Sequence, residues 1–154
     1  NWFSTFTINR GTDDGIQKDC NVIAGSGLVG IVTDTGKNWA TVRSIIDDSS
    51  NVSAMTMSTS DRCIVSGDLR LIDEGKLQFI HLKDDEDKIQ EGEKIITSDV
   101  SDKFLKGILI GYVSEIEEDP NNLTKTGTLT PVVDFEHLRE VLVITELKQQ
   151  KGDS

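Results

Sequence analysis

Residues 25–30, Gly25-Ser26-Gly27-Leu28-Val29-Gly30, form a GxGxxG run, and Asp47 lies roughly where an acid would meet a ribose. That spacing lets a backbone close on the pyrophosphate of a dinucleotide, provided a helix begins directly after the last glycine. Here β-branched Ile31-Val32-Thr33 follows and Gly36 ends the run, so the glycines read as a turn entering a bent strand. Acyl transfer is the second chemistry to test. His81 and His137, nearby Asp84 and Asp134, and the loop Ser66-Gly67-Asp68 supply the residue types of a hydrolase triad. Ser66 precedes both histidines, however, and no GDSGG-like run places a serine beside backbone oxyanion donors. Both histidines read as surface or half-buried residues.

Metal chemistry fares no better. From Asp85 a calcium loop needs Asp or Asn at 89 and glycine at 90, where the chain has Ile89 and Gln90. From Asp119 it needs glycine at 124 and glutamate at 130, where the chain has Thr124 and Thr130. The acidic runs read as solvated loops. Cys20 and Cys63 stand apart, with no CxxC and no neighbouring histidine; they fit two isolated buried thiols better than a disulfide, although pairing stays open. Asn51-Val52-Ser53 and Asn122-Leu123-Thr124 are formal glycosylation sequons. No catalytic, cofactor-binding or metal-binding residue is assigned.

The elements that would carry any site are strands. Phe6 to Gln17 (FTINRGTDDGIQ) is echoed by Phe79 to Gln90 (FIHLKDDEDKIQ), with Phe6, Asp14, Ile16 and Gln17 matched at one common offset. The echo continues in Leu28–Val32 against Leu109–Val113, and in Ile45-Ile46-Asp47 against Val132-Val133-Asp134. Conserved order with growing loops is the mark of a duplicated small domain. Gly30 and Gly111 sit inside matched strands, as a tightly curved sheet requires. Short apolar, β-branched runs are expected as strands throughout, including Ile64-Val65, Leu69–Ile72 and Leu77–Leu82. One helical turn is expected, capped by Asp134 and carrying Phe135 and Leu138 on one face. The predicted fold is all-β: two tandem small antiparallel β-barrels in a chymotrypsin-like double-barrel architecture without catalytic residues. Residues 1–73 form the first module, 74–146 the second and 147–154 a polar tail, with the N-terminal strand or the middle segment 55–76 open to sharing between modules.

The totals narrow the partners. The chain has 154 residues, with 16 Lys and Arg against 27 Asp and Glu, a net charge of −11. That sign argues against nucleic acid or an anionic membrane surface as the direct partner. No apolar run reaches the ~18 residues of a membrane span, and no signal peptide opens the chain. The abrupt start is that of an excised domain whose anchor lies outside it. With 2 Trp, 1 Tyr and 5 Phe, the barrel interiors should be filled by aliphatic side chains, which disfavours a small-ligand barrel.

An ordered set of pieces resembles the extracytoplasmic region of the rod-shape-determining MreC family. It comprises Asn1-Trp2-Phe3, Phe6–Gly11, Asp14–Ile16, Gly27–Gly30, Asn38-Trp39, Ile45–Asp47, Lys106–Gly111, Asp134-Phe135 and Leu138–Ile144. Two stretches depart from the pattern: Ser98 to Lys103 replaces a glycine-rich loop, and Met55 to Lys76 matches least. The resemblance implies a bacterial, non-enzymatic scaffold of wall elongation and rod shape. Such proteins carry one N-terminal transmembrane helix and a coiled coil, and end outside the membrane in two β-barrels. They need no cofactor, bind penicillin-binding proteins and other shape-determining membrane proteins, and self-associate into dimers or filaments. Trp2, Phe3 and Phe6 are the candidate interaction residues. The competing reading is a trypsin-like double-barrel hydrolase or its degenerate relative.

Overall fold

Threonine alternating with Phe6 and Ile8 gives β1 (Thr5–Ile8), and the Asp-Asp-Gly sequence behind it closes a 3₁₀ turn at Thr12–Asp14. The chain, seen in a computed structural model that describes residues 4–84, 86–120 and 123–149, continues as strands. β2 (Asn21–Ala24), β3 (Gly27–Thr35) and β4 (Ala40–Ser44) complete its first part. β5 (Asn51–Thr56), β6 (Arg62–Ser66), β7 (Leu77–Leu82) and β8 (Lys94–Thr97) follow. β9 (Leu109–Glu118), β10 (Lys125–Pro131) and β11 (Leu142–Ile144) end it. Leu69–Ile72, expected as a strand, is instead a helical turn, α1. Asp68 adopts an extended N-cap conformation and its carboxylate accepts the Arg70 N–H, a local bond that outweighs the strand preference of so short an apolar run. Asp134 caps the one turn that was expected, a 3₁₀ turn at Phe135–His137.

Six strands close on themselves. β9 pairs with β10, β10 with β7, β7 with β6, β6 with β5, β5 with β8 and β8 again with β9, every pair antiparallel. The other five run in the order β1-β4-β3-β2-β11, also antiparallel. A single parallel bridge, Gly27 to Leu109, joins the two sheets. β5 and β6, which precede the expected 73/74 boundary, pair into the ring, while β11 returns residues 142–144 to the first sheet. The molecule is all-β around a closed six-stranded barrel.

The sequence echo has a structural counterpart. β1 pairs with β4 as β7 pairs with β10; β4 with β3 as β10 with β9; and β3 with β2 as β9 with β8. A Cβ on Gly30 would lie 2.1 Å from the Arg43 carbonyl oxygen, and one on Gly111 2.2 Å from that of Thr130. Both glycines therefore let a neighbouring strand's backbone approach where any side chain would collide.

Inward residues of both sheets form one continuous apolar core, from Val22, Leu28 and Val32 through Ile46 to Phe79, Ile95 and Leu129. Buried Asn21 fastens the sheets together. Its side-chain amide donates to the Lys103 carbonyl at 2.9 Å and its side-chain oxygen accepts the Leu105 N–H at 2.8 Å. Satisfying both ends of a buried amide fixes the loop before β9 against β2. Among the described residues, no helix is long and apolar enough to cross a membrane.

Candidate interaction surface

The residues expected to do chemistry are dispersed. Gly25 (φ +59°) turns β2 into β3, and Gly27 opens a strand rather than a helix, so the GxGxxG run has no helix N-terminus to offer a phosphate. His137 Nδ1 lies 3.0 Å from Asp134 Oδ2, and this hydrogen bond holds the Asp134 carboxyl below its usual range. His81 is exposed near the end of β7, and Ser66 closes β6. Among the described residues neither histidine is hydrogen-bonded to a serine. Cys20 and Cys63 are buried and free, and burial pushes the Cys63 thiol up to about 12.

The acidic loop after β7 holds itself in place. Asp84, only 5 % exposed, accepts the N–H groups of Lys88 at 2.9 Å and Ile89 at 3.1 Å and pairs with Lys125 Nζ at 3.0 Å. Burial alone would raise the Asp84 carboxyl, but the Lys125 bond and the two backbone donors outweigh it and hold it below the usual carboxylate range. Lys125 also meets Asp87, which with Asp84 raises the lysine's own pKa. The loop is thereby tied to β10. Among the described residues, no group of His, Cys, Asp and Glu is placed to hold a metal ion.

Phe6 is the one candidate interaction residue among those described; Trp2 and Phe3 lie outside them. Phe6 is half-buried on β1, at the edge of the five-stranded sheet. The other edge is β11. Both face one cleft of about 1000 Å³, with Phe6, Ile8, Ile16, Phe135, Leu138 and Val143 among its apolar lining. The Ser44 N–H donates to the Ser4 carbonyl at 2.8 Å, which makes Ser4 a hydrogen-bonded partner of β4. In an antiparallel ladder such positions alternate, so Phe6 and Ile8 also bond inward while Thr5 and Thr7 turn their N–H and C=O groups away from β4, those of Thr7 beside the cleft that it helps to line. β1 carries no charge, no proline and no bulge, the usual devices that blunt an edge. Leu142 on β11 is 66 % exposed. The arrangement offers backbone donors and acceptors beside an apolar floor. Sequence reasoning named Phe6, with Trp2 and Phe3, for its place near the start of the chain but missed the cleft, which depends on which strands become neighbours.

Comparison with known proteins gives this geometry a family. Residues 1–145 match the family model for the rod shape-determining protein MreC, barrel core. The cell shape-determining protein MreC of Listeria monocytogenes is 32% identical over 150 residues, which cover 94% of this chain and 49% of the relative. The chain thus spans about half the length of the curated relatives it matches. A solved Listeria monocytogenes MreC structure superposes with a TM-score of 0.83 at 34% identity, covering 97% of this chain and 70% of that one. The Helicobacter pylori MreC solved in complex with a penicillin-binding protein shares the fold, with a TM-score of 0.66 at 16% identity, over 93% of this chain and 96% of that one. With its closed six-stranded barrel and a family match running almost from end to end, the chain belongs to the MreC family of rod shape-determining proteins.

Proposed function

We propose that this chain is the extracytoplasmic β-region of a non-enzymatic scaffold for bacterial cell-wall elongation and rod-shape maintenance. It acts by self-association and by binding penicillin-binding proteins and other shape-determining membrane proteins. The full-length protein is held at the outer face of the cell membrane by a single N-terminal helix. The family match over residues 1–145 carries this reading. The Helicobacter pylori relative, solved with a penicillin-binding protein, supports the choice of partner. The two sheets serve as the two modules of a chymotrypsin-like double-barrel frame without its catalytic residues, the five-stranded sheet being the more open barrel. Trp2, Phe3 and Phe6 take part in presenting that frame to partners. An assembly platform needs recognition surfaces rather than reactive groups, and sheet edges supply them through main-chain pairing.

The test is capture of a penicillin-binding protein ectodomain by the full-length protein, together with measurement of its self-association. Saturable capture is expected. Repeated failure to bind either an ectodomain or itself overturns the scaffold reading.

A further inference from the structure

We propose that the gap between β1 and β11 receives an extended, net-positive segment of a partner protein, laid down as the sixth strand of the first sheet. The inference rests on the scaffold reading and names the surface it uses. Its foundation is the internal duplication. In the ring, β5 follows β8, and β6 then bridges β5 to β7. In the first sheet β11 stands beside β2 where β5 stands beside β8, and β1 corresponds to β7. Among the described residues, no strand takes the place of β6.

The vacant position has the right direction, size and chemistry. Because every pairing in the β1-β4-β3-β2-β11 series is antiparallel, β1 and β11 point the same way, and a strand between them runs antiparallel to both, as β6 does in the ring. A cleft of about 1000 Å³ accommodates a short strand. Thr7 lines it, and the peptide groups of Thr7 and Thr5 point away from β4 along the same edge; strand addition draws its affinity from such groups and its specificity from pockets for alternate side chains. β6 buries Cys63 and Val65 while Arg62 faces solvent, so the incoming strand is expected to alternate apolar and polar residues. Charge selects its sign. The chain carries −11, and around the cleft Asp14, Glu136 and Glu140 outnumber Arg10 and Arg139. At this gap the charge favours a lysine-bearing segment over an equally acidic segment of a second copy, which leaves self-association to other surfaces.

The probe is a fluorescent heptapeptide, Lys-Thr-Val-Thr-Val-Thr-Lys, titrated against the chain. Thr7→Pro deletes an outward N–H without costing a ladder hydrogen bond to β4, whereas Thr7→Val keeps it. Wild type and Thr7→Val should bind alike, Thr7→Pro at least ~10-fold more weakly, and a glutamate-flanked peptide more weakly still. Leu142→Asp, on the exposed opposite edge, should also weaken binding and keeps the test decisive if Thr7→Pro loosens β1. No wild-type binding at ~1 mM peptide, or binding by both Thr7→Pro and Leu142→Asp as tight as that of wild type, overturns the proposal. So does self-association abolished by Thr7→Pro with no peptide binding, which assigns the gap to a second copy. Equal capture of a penicillin-binding protein ectodomain by wild type and Thr7→Pro overturns the gap as the docking point while leaving the scaffold reading intact. Failure of wild type to capture any ectodomain counts against the scaffold reading, and the peptide then judges the gap by itself.

Discussion

The ring and the five-stranded sheet share a strand succession and differ in one member. β7-β10-β9-β8 repeats β1-β4-β3-β2, and each run is extended by one further strand, β5 or β11. Among the described residues, only the ring has a strand, β6, that completes the circuit. Closure removes sheet edges altogether, and with them the hazard and the opportunity of pairing with another chain. The shared succession thus ends in a closed ring in one case and, among the described residues, in a sheet open at β1 and β11 in the other.

The largest expected contrast separates the echoed phenylalanines. Phe79 is wholly buried in the ring, against Gly127, and Phe6 is half-buried at the open edge. Phe79→Ala should cost ~3–5 kcal/mol and Phe6→Ala about 1–2 kcal/mol, measured by chemical denaturation. Equal costs would break the contrast. Gly30→Ala and Gly111→Ala should behave alike, each destabilising by ~2–3 kcal/mol through collision with a neighbouring strand's carbonyl. A large difference between them would mean that the two curved strands are not equivalents. Asn21→Ala removes the bonds from a buried side chain to the Lys103 carbonyl and the Leu105 N–H, so about 1–2 kcal/mol is expected. It should also separate the unfolding of ring and open sheet if they differ in intrinsic stability.

A smaller effect, on pH dependence, belongs to the ring. The folded Asp84 carboxyl sits below its unfolded value, so its contribution is complete above about pH 4 and is lost as pH falls through the lower folded value. Lys125→Met should cost ~1–2 kcal/mol near neutrality. Its difference from wild type should shrink steadily in acid; a constant difference would show that the ion pair contributes nothing of its own.

Much of the architecture is legible in the residues. The echo of Phe6–Gln17 in Phe79–Gln90 and the matched Gly30 and Gly111 indicate a duplication because curvature and close strand approach demand glycine in both copies. The Asp134 cap was readable for the same local reason. Leu69–Ile72 was not, since four apolar and basic residues fit a strand or a turn equally and the Asp68 cap settles the matter only once its carboxylate reaches the Arg70 N–H. The cleft was hidden more deeply. That β11 returns to β2, so that among the described residues Thr5 and Thr7 pair with β4 alone, is a long-range arrangement to which no local pattern points. Phe6 could be named from the sequence, but the peptide groups beside it could not.

Amide hydrogen exchange at Thr5 and Thr7, set against their ring counterparts Gln78 and Ile80, tests the difference between the two sheets most directly. Gln78 and Ile80 are paired to Ser66 and Ile64 of β6, while among the described residues Thr5 and Thr7 have a strand on one side only. In the isolated chain the two threonine amides should exchange at least ~100-fold faster than the ring pair. Comparable protection at all four positions would mean that the first sheet is as closed as the second, and would contradict the account.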